Sequence, residues 1–282
     1  MLRPVPPVDV LPLLEEERSE LVSLLRTLDP QEASTPTACE GWSVRDVAAH
    51  LLQDDIWFLS RIRDEHDDPS RDAPPPDFEG LVAWLDKRNQ DWVDVSRFMS
   101  VETIADLLEA TGRITNDYMS SVDRKEQGET VTWGGAGPHP RWLGWAREFT
   151  ERWVHQQHIR DALDKPGLNG PQFVSPLLQT FMRAVPPAYG SVDADPGTVV
   201  AIVVEGRAGG NWALRRDEDG WNLYEGREKE TAAGVTTDQD TMWRYLARVI
   251  RRKEAEPSIA VEGDKVLGSH LLDAVAAMVA AD

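Results

Sequence analysis

Glu151, His155 and His158 are the residues of this chain whose types and spacing could do chemistry together. At about 100° per residue they fall close together on one side of a helix spanning 142–163. Side chains three and four apart project the same way from successive turns, so one carboxylate and two imidazoles so placed form a candidate chelate for a divalent cation. A Glu and a His four apart also make an ordinary surface pair worth about 0.2–0.5 kcal/mol, and spacing leaves both readings open. The other side of the helix carries Trp142, Ala146, Phe149 and Trp153, which call for an apolar core. The imidazole side then meets solvent or lines a cavity between helices, where bundle proteins place metals. A mononuclear site needs at least one more ligand from elsewhere, drawn from a chain with six histidines.

The elements that must position these residues can be read from periodicity. Leu13, Leu14, Leu21, Leu24, Leu25 and Leu28 recur at helical spacing over 10–28, and Asp29-Pro30 ends that helix. Ser43, with Asp46 three residues on, caps a second helix predicted over 44–63, whose apolar stripe is Val44, Val47, Ala48, Leu51, Leu59 and Ile62. His50 lies off that stripe beside Asp54 and Trp57, so periodicity makes it a boundary or surface histidine. An acidic, Pro-rich loop over 65–78 precedes helices predicted at 79–98 and 101–122. The glycines of 132–141 follow no strand and lack a Gly-Lys-Ser/Thr ending, so that stretch reads as a loop rather than a phosphate cradle.

Composition changes at 165–171. One more helix is expected over 173–184, and from Thr198 the period switches to strands at 199–204, 211–216 and 221–224, the last two flanking an Asp219-Gly220 turn signal. A helix at 241–252, a short strand at 258–261 and a closing helix at 268–280 complete the pattern. The expected organisation is a helical bundle at 1–167, a connecting segment with one helix at 168–197 and a smaller α+β domain at 198–282.

A formal charge of -19 argues against nucleic acid and anionic membrane surfaces and leaves small molecules as the expected partners. No apolar run approaches the ~20 residues of a membrane span, and the N-terminus lacks a basic start followed by an apolar core. The single cysteine permits no intrachain disulfide, so a cytoplasmic protein, monomeric or weakly dimeric, is expected. Cys39 has no histidine partner evident in the sequence and reads as a partly buried structural thiol, dispensable to any metal. His66, His139 and His270 read as solvated. Trp42, Trp57, Trp145 and Trp153 either line a substrate cavity or anchor helix packing, and eleven tryptophans suit the second role. Arg45, Arg147 and Arg160 are candidates to receive the carboxylate of a substrate or cosubstrate, beside their plain reading as helix-surface cations.

Two stretches, Gly41-Trp-Ser-Val-Arg-Asp-Val-Ala-Ala-His50-Leu51 and Arg147-Glu-Phe-Thr-Glu-Arg-Trp-Val-His-Gln-Gln-His-Ile-Arg160, resemble the maleylpyruvate isomerase family of mycothiol-dependent enzymes. The strands around Trp212 and Trp221, with Val261-Glu-Gly-Asp264, are more diffusely similar to that family's second domain. The resemblance implies a fold class of α plus α+β: an N-terminal DinB-like four-helix bundle and a smaller C-terminal α+β sterol-carrier-like domain. It also implies a divalent metal, zinc, held by His50, Glu151 and His155, which supplies the distant ligand and overrides the periodicity reading of His50. His158 is outside that ligand set and remains a fourth ligand, a proton carrier or a group orienting a ligand. Three protein ligands with open positions suit an incoming thiol. A thiol of pKa about 8.5 is mostly protonated at neutral pH, and coordination deprotonates it. The implied function is activation of mycothiol, a low-molecular-weight thiol, for attack on an electrophilic small molecule, ending in isomerisation or S-transfer. The alternative is a noncatalytic metal- and apolar-ligand-binding or sensor protein, which metal-dependent thiol consumption in the presence of electrophiles would rule out.

Overall fold

The computed structural model describes residues 2–66, 75 and 77–276. Most of the expected acidic loop and the end of the closing helix lie outside the described residues. The chain forms two compact units, one of Val10–Arg124 and Glu148–Leu168, the other built on Met1–Asp9, Lys125–Arg147 and Asn169–Ala277. The chain thus passes between units several times, where composition alone suggests one passage near Gly167.

The first unit is helical: α1 (Leu11–Leu25), α2 (Pro30–Ala33), α3 (Val44–Phe58), α4 (Phe78–Ser96), α5 (Val101–Ser121) and the part of α6 (Arg141–Ala162) from Glu148 onward. A π-helical turn, Leu59–Arg63, continues α3. Ser43 and Asp46 make a reciprocal capping box at the start of α3, as their spacing predicts. Leu21 and Leu25 of α1, Val47, Leu51 and Leu52 of α3, Ile104 and Leu108 of α5 and Ile159 of α6 share one buried core, so four helices form the bundle. Trp92 of α4 donates to the Ala49 carbonyl at 2.7 Å and fastens that helix to α3.

A buried polar node runs through this core. Asp55 of α3, 1% exposed, accepts from Arg18 of α1 at 2.8 and 3.0 Å, from Arg152 of α6 at 2.9 Å and from Thr111 of α5 at 2.7 Å. Beside it, Gln156 of α6 donates to the buried Glu17 carboxylate at 2.8 Å. Burial raises the Glu17 carboxyl above the usual carboxylate range, although Arg18 and Arg152 pull it down.

The second unit contains a six-stranded sheet in the order β1-β4-β3-β2-β5-β6, formed by β1 (Arg3–Pro4), β2 (Val199–Glu205), β3 (Gly210–Asp217), β4 (Gly220–Glu225), β5 (Ala233–Asp238) and β6 (Ala260–Gly263). Only β2 and β5 pair in parallel. Its helices are α7 (Pro171–Phe181), α8 (Val185–Ala188), α9 (Gln239–Leu246), α10 (Arg252–Ala255) and α11 (Lys265–Ser269). This arrangement of helices and sheet agrees with the expected fold class.

Several local expectations are corrected. Strands β1 and β5 go unpredicted, the first for its two-residue length and the second because Ala233, Gly234 and Asp238 are poor strand formers that leave only three strand-favouring residues in a row. The helix expected over 241–252 ends at Leu246, and Arg248 takes a left-handed conformation at φ 58 before α10 begins. The closing helix starts earlier than residue 268, under an Asp264 cap, and gives way to a 3-10 turn at His270–Asp273. The β3–β4 turn is Glu218-Asp219, with Asp217 opposite Gly220.

Asp55→Asn leaves two guanidinium groups buried without their anion and is expected to destabilise the protein by about 3–5 kcal/mol in urea unfolding. Glu17→Gln keeps shape and acceptor while removing a carboxyl that resists ionisation, so it should cost less than about 1 kcal/mol at neutral pH. Because the folded Glu17 binds its proton more tightly than the unfolded one, its contribution favours folding below its unfolded pKa. That contribution is lost as pH rises through the raised folded value. A Glu17→Gln unfolding series that kept the wild-type pH slope would contradict this assignment.

Candidate metal centre

The donors converge from two helices and one turn. His50 reaches the site from the middle of α3 and is 4% exposed, so its burial follows from packing against α6 rather than from the apolar stripe of its own helix. Glu151 and His155 project from successive turns of α6, with His155 Nε2 3.1 Å from Glu151 Oε1. His50 Nε2 lies 3.6 Å from the same carboxylate oxygen and 3.5 Å from Asp54 Oδ2. The His50 and His155 rings meet edge to face, with centroids 4.8 Å apart. One ligand atom from each of His50, Glu151 and His155 lies within 4.8 Å of the others. The structure therefore brings together the three residues that the resemblance singles out.

The other nitrogen of His155 faces a different neighbourhood. Its Nδ1 is 3.4 Å from His158 Nδ1 and 3.8 Å from Cys39 Sγ, and Cys39 Sγ is 3.2 Å from His158 Nδ1. The expectation that Cys39 has no histidine partner is thus corrected: it has two, more than a hundred residues away in sequence. A turn holds it in place. Trp42 N–H donates to the Cys39 carbonyl at 2.9 Å, and Gly41 takes φ +79, the left-handed value that the third position of such a turn requires. The same turn sets the Trp42 ring against His50, centroids 5.1 Å apart.

The site's electrostatics favour opposite charges side by side. Burial pushes the Glu151 carboxyl up, but hydrogen bonds with His155 and His50 reverse this and hold it well below the usual carboxylate range. For His155, burial works against the charged ring and is outweighed by Cys39 and Glu151, which raise it well above an ordinary histidine. His50 is also raised, the cost of burial being overcome by the Asp54 charge and the Glu151 hydrogen bond. Burial would push the Cys39 thiol up, yet its two histidines bring it down to about 5. The donor set fits a divalent metal: two imidazoles and a carboxylate are a common catalytic zinc set.

The candidate arginines have other partners. Arg45 donates to the Ser96 and Met99 carbonyls at the end of α4 and to Asp46, while Arg160 donates to Gln156, the Pro166 carbonyl and Glu20. These contacts give both a packing role. Arg147 sits half-buried on α6 in the segment grouped with the sheet unit. Trp145 and Trp153 are core residues. Trp57 carries Arg61 over its ring at 4.8 Å. His66 is exposed as expected, whereas His139 Nδ1 accepts from Val131 N–H at 3.2 Å and His270 pairs with Asp273 at 2.9 Å. Asp54 is the site neighbour that sequence reading leaves unassigned, although its place four residues after His50 on one helix is the available signal.

A capped and cored helical bundle carries a His–Glu–His group between α3 and α6 that could hold a metal, and comparison narrows the class of protein. The family model described as mycothiol maleylpyruvate isomerase N-terminal domain matches residues 14–160, just over half of the 282 residues. The chain belongs to that family. Two crystal structures of mycothiol-dependent maleylpyruvate isomerase, one of a histidine-to-alanine mutant, share its fold at a TM-score of 0.55 and 13% identity, covering 91% of this chain and 93% of theirs. No curated protein matches the chain. No helix among the described residues is long and apolar enough to cross a membrane.

The raised imidazoles set the sign of a pH effect. In the metal-free protein His50 and His155 keep their protons to higher pH than free histidine, and a metal must displace them. Metal affinity should therefore fall steadily as pH drops through the raised values, with protons released on binding, as titration calorimetry in buffers of different ionisation heat would show. In the absence of metal, the stability these histidines add should be fully present below about 6.5 and lost as pH rises through their folded values.

Proposed function

We propose that this protein is a mycothiol-dependent isomerase or S-transferase acting on a small electrophile, with a divalent metal, zinc by its donor set, held by His50, Glu151 and His155. The observation that carries this reading is the convergence of those three donors from α3 and α6 in a chain of this family. Bound there, the cation would supply the charge that keeps an incoming thiol as its thiolate. Glu151, held anionic, offsets that charge, and Asp54, 3.5 Å from the same His50 Nε2 that faces Glu151, adds a second negative charge beside the cation. His158, 3.4 Å from the far nitrogen of His155, orients that ring and can carry a proton. The Trp42 ring screens His50 from water. Addition of the sulfur to an activated double bond forms a C–S bond and leaves a single bond free to rotate. Expulsion of the thiol restores the double bond with changed geometry, and protonation of the carbanion instead leaves a thioether.

The sheet unit offers no comparable cluster of metal donors among its described residues. Two of its clefts, of about 590 and 600 Å³, have Asp193, Arg216, Asp219 and Asp264 in their walls.

Purified protein is expected to carry about one zinc per chain and to convert maleylpyruvate only with mycothiol present, losing activity on chelation and regaining it with zinc. His50→Ala and His155→Ala should lower metal affinity by roughly tenfold or more, and Glu151→Gln should weaken it by removing the anionic ligand. Full metal content in all three variants, measured by elemental analysis, would end this reading. Turnover that survived metal removal would end the mechanism.

A further inference from the structure

Cys39 lies outside the ligand set proposed above, yet it closes a second donor triangle on the far nitrogen of His155. The edges of that triangle are 3.2 Å from Cys39 Sγ to His158 Nδ1, 3.8 Å from Cys39 Sγ to His155 Nδ1 and 3.4 Å between the two Nδ1 atoms. In a tetrahedral zinc site with bonds of about 2.0–2.1 Å to nitrogen and about 2.3 Å to sulfur, two nitrogens stand about 3.3 Å apart and a nitrogen and a sulfur about 3.6 Å. The nitrogen–nitrogen edge is close to its ideal spacing and the two nitrogen–sulfur edges lie either side of theirs, while the triangle's centre is about 2 Å from each atom, the length of a metal–nitrogen bond. The donors come from two separate elements, the turn before α3 and helix α6.

We propose that Cys39, His155 and His158 form a second metal position, selective for thiophilic cations such as Cd²⁺ or Cu⁺. It does not depend on the thiol-transfer reading. A neutral imidazole has one lone pair to give, so His155 serves one position at a time: Nδ1 for the thiolate triangle, or Nε2 for the carboxylate triangle with Glu151 and His50. Thiolate selects softer ions and carboxylate harder ones such as Mn²⁺. Each chain then holds one cation, and the softness of the ion decides on which side of the His155 ring it sits.

Cobalt tests the assignment, because thiolate coordination to Co²⁺ gives an intense near-ultraviolet charge-transfer band that nitrogen and oxygen donors do not. Cys39 is the only cysteine in the chain, so in thiol-free buffer the band has one source. Titration of the metal-free, full-length protein should give the band, with Cd²⁺ displacing it and equimolar Mn²⁺ leaving it. Glu151→Gln should retain it, Cys39→Ser should abolish it, and His158→Ala should weaken cobalt binding roughly tenfold or more. A second measurement needs no variant: Cd²⁺ should protect Cys39 from iodoacetamide, and Mn²⁺ should not. Cobalt bound without the band, and released by Glu151→Gln, would overturn this position while leaving the carboxylate site standing. A band unaffected by Glu151→Gln and by His50→Ala would support this position, while Mn²⁺ binding in the same two variants judges the carboxylate position separately. Equal alkylation with and without Cd²⁺ would also overturn it.

Discussion

Asp55 is buried in the bundle core with the Arg18 and Arg152 guanidinium groups on its oxygens, and this constraint fixes the relation between the helices that carry the site. Its two oxygens accept from α1, α5 and α6 together, through Arg18, Thr111 and Arg152. A buried ion pair gains little over an apolar contact, since desolvation consumes most of the attraction; what it does impose is geometry, because a shift of one helix strands a charge. Arg152 is the neighbour of Glu151 on α6, and Asp55 lies five residues past His50 on α3. The register that joins Arg152 to Asp55 is therefore the register that sets Glu151 Oε1 3.6 Å from His50 Nε2.

His155 is the point at which the two donor groups meet. Its Nε2 belongs with a carboxylate and its Nδ1 with a thiol and a second imidazole, so each side sees the ring as either donor or acceptor according to what the other side holds. The anionic Glu151, the lowered Cys39 and the raised His50 and His155 are consequences of that crowding: charged forms persist because each has an opposite charge beside it, although burial works against all of them. Cations and thiols entering this region would meet a set of charges already arranged.

How much of this the sequence discloses depends on where each signal resides. The α3 cap, the α1 leucines and the Glu151–His155 spacing are local, and each appears in the structure as read. His50 was misplaced by periodicity because an apolar stripe marks only one kind of buried face. On α6 the same limitation is larger: Glu148, Thr150, Arg152, Gln156 and Gln157 are buried alongside Phe149 and Trp153, so most of the helix circumference is inside while only part of it is apolar. The partner of Cys39 lies 116 and 119 positions away, beyond the reach of any spacing rule. Family resemblance bridged that gap for His50, which the structure sets beside Glu151 and His155, but not for Cys39.

The chain order of the helical unit has a consequence for how it comes to be made. Residues 10–124 complete α1, α3 and α5, and the chain then contributes 125–147 to the other unit before Glu148 returns it to the bundle. During synthesis from the N-terminus, Asp55 and His50 are thus present long before Arg152, Glu151 and His155, and neither the ionic node nor the donor group can assemble until α6 leaves the ribosome. A cation joining His50 to α6 closes a loop of roughly a hundred residues, and the chain entropy that a cross-link removes from the unfolded state grows with the length of the loop it closes. Metal supply would then be felt by newborn chains as well as by finished ones, in the rate at which the last helix is captured.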